Sequence, residues 1–236
     1  EDKIIFIEKG LGTKEIGNLL LNEKIIKNRV IFNIIATILG KNRSIKSGEY
    51  IFKDEISIFS VIDDITKGNY YFRKIVIPEC LTANQIVELI NNNLYLKGYL
   101  NYVPNEGSMF PDTYFFLRNE NKNDIILRMQ RKMKKVANEI WKENKTLLKS
   151  KIDMVKLASI INAESKKNEE KFIVSSVFHN RLSLDMRLQS DPTVLYGKNI
   201  NKKKISRKIT KLDLRNDNPW NTYRRKGLPK TPICNP

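Results

Sequence analysis

The chain of 236 residues contains only two cysteines and one histidine, the side chains that most often bind zinc or form disulfides. Cys80, His179 and Cys234 lie far apart and match no zinc-binding spacing, and neither an HExxH nor a CxxC motif occurs. We therefore expect no metal and no other cofactor. Neither cysteine lies in a sequence context that activates a thiol, which disfavours Cys–His catalysis. Their positions alone do not decide whether the two cysteines form a disulfide.

Long apolar runs are also missing, because no stretch approaches the roughly 18 residues that a membrane-spanning helix requires. The apolar fraction of 41% and the aromatic fraction of 9% are nevertheless ordinary for a folded protein, which excludes a disordered chain. The length allows one large domain or two to three small ones. The chain begins Glu-Asp-Lys without methionine, so we expect a processed or trimmed product, compatible with a removed signal or anchor.

Acidic residues are scarce relative to basic ones, with 26 Asp and Glu against 43 Lys and Arg and a net charge of +17. The densest basic run, residues 198–211, carries seven Lys and Arg and no acid. Aromatic residues do not alternate with these charges, as a surface that stacks on nucleic-acid bases requires, so we expect no nucleic-acid partner. The abundance of Lys, Ile and Asn is typical of an A/T-rich genome. An anionic membrane surface or an acidic polymer suits the charge equally well.

The first hundred residues repeat one short pattern. Residues 3–7 are predicted to form a strand, a glycine-containing turn follows, and Thr13 is predicted to cap a helix. A similar phrase recurs over residues 76–90. Between the two copies, the sequence predicts a helix at 29–39, a strand at 48–52 and a helix at 58–66 that ends near Gly68. These small βα units resemble LysM-like modules that bind glycans, although generic βα packing explains the pattern equally well.

Residues 157–192 hold the candidate chemistry. Leu157, Ile160, Ile161 and Glu164 follow one another at i, i+3, i+4 and i+7, which places a carboxylate on the apolar stripe of a predicted helix. An apolar setting would raise the pKa of Glu164 and allow it to donate a proton near neutral pH. The alternative interpretation is that Glu164 lies at a helix end, beyond the apolar stripe.

Two further helices are predicted in the same segment. The first begins at Asn168 and has Asn180 and Arg181 at its far end; its predicted buried stripe comprises Ile173, Val174, Val177, Phe178 and Leu182. The second begins at Asp191-Pro192, with Asp191 as the cap, and ends at Gly197. Gln189, Ser190 and Asp191 then form a polar lip before a helix N-terminus, which can hydrogen-bond a sugar or cap the helix.

Several longer motifs together resemble the MltG (YceG-like) endolytic murein transglycosylases. They are ASIINAES (158–165), VFHNRL (177–182), MRLQSDPTVLYG (186–197), NTY (221–223) and GLPKTPICNP (227–236). The earlier IPECLT (77–82) and EGSMFPDTYFF (106–116) fall in the order that the family shows. The resemblance covers essentially the whole chain, and the string from Gln189 to Gly197 is highly specific.

The resemblance implies an α+β fold, with small N-terminal LysM-like βα units followed by a mostly helical catalytic domain with short strands. We expect an N-terminal βα region at 1–72, a LysM-like unit at 73–103 and a catalytic domain at 104–236 that lacks its C-terminal end. The family also implies a bacterial inner-membrane protein held by a single N-terminal anchor, absent from this chain, with a periplasmic body. Its implied partners are peptidoglycan strands and cell-wall synthases of the membrane.

The implied reaction cleaves the MurNAc–GlcNAc β-1,4 bond within nascent glycan strands and leaves 1,6-anhydro-MurNAc ends. The family's catalytic glutamate falls on Glu164. The residues expected to hold the sugar or orient Glu164 are Ser165, Asn180, Arg181, Gln189, Ser190, Asp191, Asn221 and Tyr223. The alternative function is a non-catalytic peptidoglycan-binding scaffold.

The chain departs from the family pattern at five positions. Cys80 stands where the family usually has Gly, and Ser108 stands where an aromatic residue is common. His179 and Trp220 stand where Tyr is common, and Asn162 occupies a position that is often a second Glu. This last change weakens any scheme with two carboxylates, and Glu106 and Asp112 are expected to lie in a distant loop. We therefore expect Glu164 to act first as acid and then as base.

Overall fold

The computed structural model describes residues 2–143, 148–200, 206 and 208–236. Over these residues the protein is mostly helical with two short two-stranded sheets, which confirms the expected α+β class. The elements are β1 Lys3–Ile7, α1 Thr13–Asn22, α2 Arg29–Ile38, β2 Gly48–Phe52, α3 Ile58–Lys67, β3 Arg73–Val76, α4 Ala83–Asn91, β4 Thr113–Phe116, α5 Lys122–Glu143, α6 Lys151–Glu164, α7 Asn168–Ser183, α8 Asp191–Asn199 and α9 Lys211–Arg215. None of the helices in this part of the chain combines the length and apolar character that crossing a bilayer demands.

The first of two compact units comprises Glu1–Ile75, Tyr95–Lys97 and Phe115–Glu120. Strands β1 and β2 pair antiparallel, with Lys3 opposite Phe52 and Ile7 opposite Gly48. Because side chains alternate along a strand, one face of this pair is buried beneath α1, α2 and α3. The buried core residues are Ile5, Ile7, Ile16, Leu20, Ile26, Phe32, Ala36, Tyr50, Phe52, Val61, Ile62 and Ile65. Helix α3 ends as predicted, with Gly68 left-handed at its C-cap (φ 81°).

A buried carboxylate lies at the edge of this core. Glu49 in β2 is only 2% exposed. It accepts hydrogen bonds from Arg73 Nε at 2.7 Å and from Arg118 Nη1 at 3.0 Å. Burial alone would raise the pKa of Glu49, but the hydrogen bonds and positive charges of Arg73 and Arg118 outweigh it and leave the pKa below its ordinary value. The ion group therefore joins β2 to two segments that are distant in sequence.

The second unit comprises Val76–Leu94, Gly98–Tyr114 and Asn121–Pro236. Helix α6 contacts α5, α7 and α8, around a core of Leu157, Ile160, Phe178, Leu188 and Ile233. Polar caps define the helix starts: Thr82 and Gln85 form a capping box for α4, and Ser150 accepts from the Asp153 backbone at the start of α6. Part of the basic run, residues 201–205 and 207, lies outside the residues that the structure describes.

A disulfide joins Cys80 to Cys234 across a sequence separation of 154 residues. Backbone hydrogen bonds extend the same junction, from Cys80 N to Asn235 O at 2.8 Å and from Asn235 N to Leu81 O at 3.0 Å. Disulfides persist in oxidising compartments. The pair therefore indicates an extracytoplasmic setting for this unit.

The predicted buried stripe of α7 and the predicted end of α8 are wrong. Only Phe178 of the stripe predicted for α7 is fully buried, whereas Ile173 and Val177 are exposed. The five residues span an arc of about 180° around the helix. Only the side of this arc that carries Val174, Phe178 and Leu182 packs against the core. Gly197 does not end α8, which continues to Asn199. A Cβ atom on Gly197 would lie 2.6 Å from Asn218 Oδ1, so close packing explains this glycine.

Candidate active site

Glu164 is the last residue of α6 and its side chain is exposed. The predicted apolar setting is therefore wrong, since the helix ends where the apolar stripe finishes. This agrees with the alternative interpretation of its position. Helix α6 still fixes the backbone of Glu164 through the buried side chains of Ile160 and Leu157 one and two turns earlier. The arrangement presents a carboxylate to solvent from a rigid support.

Ser190 brings the polar lip to Glu164. Its hydroxyl donates to Glu164 Oε1 at 2.6 Å, although Ser190 itself is fully buried. A hydroxyl donor this close to a carboxylate makes a strong, charge-assisted hydrogen bond. Leu188, two residues earlier, is buried in the core and holds the lip in place. The sequence placed both residues in one segment, and the structure brings them into contact.

A pair of threonines that sequence reasoning missed supports this contact. Thr222 accepts from the Ser190 backbone N–H at 3.0 Å and shares a hydrogen bond of 2.8 Å with Thr193. Thr193 also donates to the Ser190 carbonyl at 2.6 Å. Both threonines are buried, so they hold the start of α8 against the loop that contains Thr222. The only signal in the sequence was their presence in the motifs that resemble the family.

Asp191 follows Ser190 in the lip and does not cap α8, so the cap predicted from the sequence is wrong. Ser190 occupies the N-cap position, and Asp191 is the first helical residue. The Asp191 carboxylate instead accepts from the Tyr223 hydroxyl at 2.7 Å. This hydrogen bond, together with partial burial and the negative charges of Asp191 and Glu164, raises the pKa of Tyr223 to about 12. Tyr223 is therefore a neutral hydrogen-bond donor near neutral pH, and the charges of both carboxylates act on it.

Three other predicted residues lie around the lip, and they differ in burial and in hydrogen bonding. Arg181 is half-buried and donates to the Leu188 carbonyl, so it braces the loop that precedes the lip. Gln189 has a left-handed backbone (φ 52°) and an exposed side chain, while its N–H donates to Thr222 O at 3.1 Å. Asn180 is exposed near the end of α7. The side chains of Gln189 and Asn180 are thus presented to solvent.

The last two predicted residues, Ser165 and Asn221, are buried and make their hydrogen bonds within the protein. Ser165 donates to Glu170 Oε2 at 2.7 Å and accepts from the Lys167 N–H at 3.1 Å, which ties the end of α6 to the start of α7. The Asn221 amide nitrogen donates to backbone carbonyls of 213, 214 and 216, and its oxygen accepts from the Tyr223 N–H at 2.9 Å. Both residues therefore support neighbouring loops.

Glu106 is one of the two acidic residues that were expected from the sequence to lie in a distant loop. Its carboxylate accepts from the Ala83 N–H at 2.8 Å and from the Asn235 amide at 2.9 Å, and the Tyr196 hydroxyl donates to it at 3.2 Å. Burial raises the pKa of Glu106 to about 7, even though these hydrogen bonds act in the opposite direction. Since Tyr196 belongs to α8, Glu106 contacts the same helix whose start holds Ser190. Its three partners come from distant parts of the sequence, so no local pattern could reveal it.

A cavity of about 390 Å³ opens in the C-terminal loop, lined by residues 219–222 and 225–230. Trp220 forms part of its wall and packs edge-on against Tyr196. Asn221 and Thr222 connect this wall to the lip. Glu164 does not line the cavity, and its carboxylate is reached from open solvent.

Comparisons with known proteins show which family the chain belongs to. The model of the YceG-like family matches residues 5–236. An endolytic murein transglycosylase from Bacillus subtilis is 26% identical, with 98% of this chain and 72% of that protein covered. A protein of the same name from Streptococcus pneumoniae D39 is 24% identical, and the chain spans about half of its length (49%).

Among solved structures, a yceG-like protein from Listeria monocytogenes matches with a TM-score of 0.56 and 27% identity. The match covers 100% of this chain and 86% of that one. The family model extends over both compact units and over every motif that contributes to the site. The chain belongs to the YceG-like family.

Proposed function

We propose that this chain cleaves peptidoglycan glycan strands internally, as an endolytic murein transglycosylase with Glu164 as its catalytic residue. The observation that carries the proposal is the hydrogen bond between Ser190 and the exposed carboxylate of Glu164. It joins the helix end to a polar lip that a sugar polymer can reach. The names of the relatives from B. subtilis and S. pneumoniae support the reaction class.

The proposed chemistry uses one carboxyl group twice. Protonated Glu164 donates its proton to the glycosidic oxygen between MurNAc C1 and GlcNAc C4, and the C1–O bond breaks with its electron pair on the departing oxygen. The MurNAc C6 hydroxyl then bonds to C1 and gives its proton to the Glu164 carboxylate. The products are a 1,6-anhydro-MurNAc end and a free GlcNAc 4-hydroxyl. No water enters the balance, so the second carboxylate of a hydrolase is not needed.

The contacts around Glu164 divide the other predicted residues into three roles. Ser190 orients the carboxylate, because its hydroxyl is the donor at 2.6 Å. The exposed side chains of Asn180, Gln189 and Asp191, with Arg181 and Tyr223, are the candidates to bind sugar hydroxyls or stem carboxylates. Ser165 and Asn221 are assigned to the supporting framework, since their polar atoms are engaged within the protein.

Further proposals follow from the family resemblance. The first unit and the α4 region would act as LysM-like glycan-binding elements, within the divisions 1–72, 73–103 and 104–236. The repeated order of strand, turn and helix in β1–α1 and β3–α4 supports this interpretation. The protein would act on peptidoglycan in the periplasm, anchored in the inner membrane and associated with cell-wall synthases. The disulfide supports an extracytoplasmic site of action.

The test is Glu164→Gln, which preserves shape and removes acid–base capacity. Purified peptidoglycan is digested with the wild-type chain and the variant, and products are identified by mass spectrometry. We expect anhydro-MurNAc ends from the wild type and a loss of at least about a hundredfold in the variant, in line with the usual contribution of general acid–base catalysis. Glu169→Gln, on the exposed first turn of α7, is the matched control and should remain active.

Three outcomes would contradict the proposal. Anhydro ends formed at the wild-type rate by Glu164→Gln would remove the residue from the mechanism. Reducing MurNAc ends would identify a hydrolase that requires a second carboxylate. Retention on sacculi without any product from the wild type would indicate the non-catalytic scaffold.

A further inference from the structure

Helix α2 of the first unit is apolar on two opposite faces. Phe32 and Ala36 are fully buried in the core. Val30, Ile31, Ile34 and Ile38 are exposed instead, with Ile38 at 78%. At 3.6 residues per turn these four side chains fall within an arc of about 100° on the side away from Phe32 and Ala36. A helix that is apolar all round is normally buried on all sides, yet half of this one faces solvent.

The exposed side chains do not arise from a distorted or loosely held helix. The Asn28 side chain caps the start of α2 by accepting from the N–H groups of Val30 and Ile31 at 2.8 and 3.2 Å. The inward face packs against α1 and α3. Since the backbone is fixed, the outward face presents a continuous row from Val30 through Ile34 to Ile38, which we call the α2 face.

Exposed basic residues lie close to both ends of the α2 face along the chain. From Lys24 to Gly48 the sequence has six basic residues and no acidic one. Lys24, Lys27 and Arg29 precede the outward row and Arg43 follows it, all exposed. Lys41 pairs with Asp63 of α3 at 2.9 Å, and Lys67 also pairs with Asp63 at 2.6 Å. Asp63 of α3 is therefore paired with two lysines.

We propose that the α2 face binds the surface of an anionic lipid bilayer. Its four aliphatic side chains enter the boundary between the headgroups and the acyl chains, and the flanking Lys and Arg residues contact lipid phosphates. Helices that lie in a membrane interface combine such an apolar stripe with Lys and Arg beside it. Each base near an anionic surface adds to the attraction. A second copy of this chain fits less well, because it would bring Lys24, Lys27 and Arg43 of both copies together.

The experiment measures co-sedimentation of the 236-residue chain with vesicles of phosphatidylglycerol and phosphatidylcholine, and with vesicles of phosphatidylcholine alone. We expect retention on the anionic vesicles that weakens as salt is raised. The double variant Ile34→Ser, Ile38→Ser should bind them at least about tenfold more weakly, because two aliphatic side chains no longer enter the acyl region. Leu94→Ser, at a residue that is 92% exposed in the second unit, is the control and should bind like the wild type.

A second variant measures how deeply the α2 face enters the bilayer. Ile38→Trp should be quenched by brominated acyl chains more than the tryptophans of the wild-type chain are. All variants alter exposed positions, and their folding is checked by urea denaturation. Vesicle binding is measured without peptidoglycan, so its outcome does not depend on the proposed function.

Three results would overturn the proposal. The first is a wild-type chain that binds neither vesicle type. The second is a double variant that binds anionic vesicles as tightly as the wild type, which would assign the attraction to net charge alone. The third is a dimer in sedimentation velocity that the double variant abolishes, without vesicle binding, which would assign the α2 face to a second copy.

Discussion

The hydroxyl of Ser190 has one partner that matters for chemistry, the Oε1 atom of Glu164. Because a hydrogen bond to a charged group contributes about 1.5–3 kcal/mol, we expect Ser190→Ala to lower kcat/KM for glycan cleavage by roughly ten- to a hundredfold. Binding to sacculi should be unchanged. Ser176→Ala, whose hydroxyl donates only to the Ile173 carbonyl in α7, is the control. Equal kinetics for wild type and Ser190→Ala would show that the hydrogen bond has no catalytic role.

Glu106 should make the stability of the chain depend on pH in an unusual direction. Its pKa is about 7 in the fold against an ordinary value of 4.5, so the folded chain keeps a proton that the unfolded chain loses. Its contribution to stability is therefore complete below pH 4.5 and lost as the pH rises through 7. We expect the free energy of unfolding to fall by up to about 3 kcal/mol between about pH 5 and pH 8.

The corresponding measurement is urea denaturation at both pH values. Glu106→Gln has no proton to lose and should show a flatter dependence, while Glu139→Gln, exposed on α5, should behave like the wild type. A fall of the same size in Glu106→Gln would assign the pH dependence to another group.

At the scale of elements, β1 and β2 form a sheet of only two strands, which is marginal without support. Glu49 supplies part of that support through Arg73 and Arg118. Removing one partner of a buried ion group leaves the others uncompensated, so we expect Glu49→Gln to lower the free energy of unfolding by roughly 3 kcal/mol at neutral pH. Because the pKa of Glu49 is lowered in the fold, this loss should shrink as the medium becomes acidic.

The control for this experiment is Glu55→Gln, an exposed residue three positions beyond β2. Urea midpoints of the wild type and both variants are compared at about pH 7 and about pH 4, on either side of the range in which carboxylates titrate. A variant at position 49 as stable as the wild type at neutral pH would mean that the arginines find other partners.

Elements whose signals are local could be predicted from the sequence. The strand β1 and the helix α3 followed by Gly68 depend on alternation, periodicity and a turn residue, all within a short stretch of chain. The buried side of α7 could not be predicted, because which half of an apolar arc is covered depends on the neighbouring helix. The cap of α8 was misplaced by one position, since Ser190 and Asp191 are both residue types that cap helices well. Their roles are separated by the contacts of Ser190 with Glu164 and of Asp191 with Tyr223, which only the fold creates.

The candidate site likewise contains residues that could be predicted from the sequence and residues that could not. Glu164 and the lip were found because they lie in one segment that resembles a known family. The support from Thr193 and Thr222 and the partners of Glu106 were missed, since each depends on segments that only the fold brings together. The resemblance identified the residues, whereas their roles as donors, braces or exposed contacts required the structure.

At the scale of the whole molecule, the disulfide closes a loop that spans 154 positions of the sequence. The chain-entropy account gives about 5 kcal/mol for cross-linking a loop of this length. We therefore expect the double variant Cys80→Ser, Cys234→Ser to lose stability of that order in urea denaturation. Wild type treated with a reductant should lose the same amount. A reduced chain as stable as the oxidised one would show that the hydrogen bonds between Leu81 and Asn235 suffice alone.

The same cross-link changes what a protease can release from this chain. Glu164, Ser190, Asp191 and Tyr223 all lie between Cys80 and Cys234, so one cut anywhere in that span leaves two fragments that stay covalently joined. On a gel without reductant the nicked chain should migrate as one species, and only a reductant should separate it. In an environment rich in proteases, the molecule can thus be cut once and still hold all the residues of its candidate active site in one covalent body.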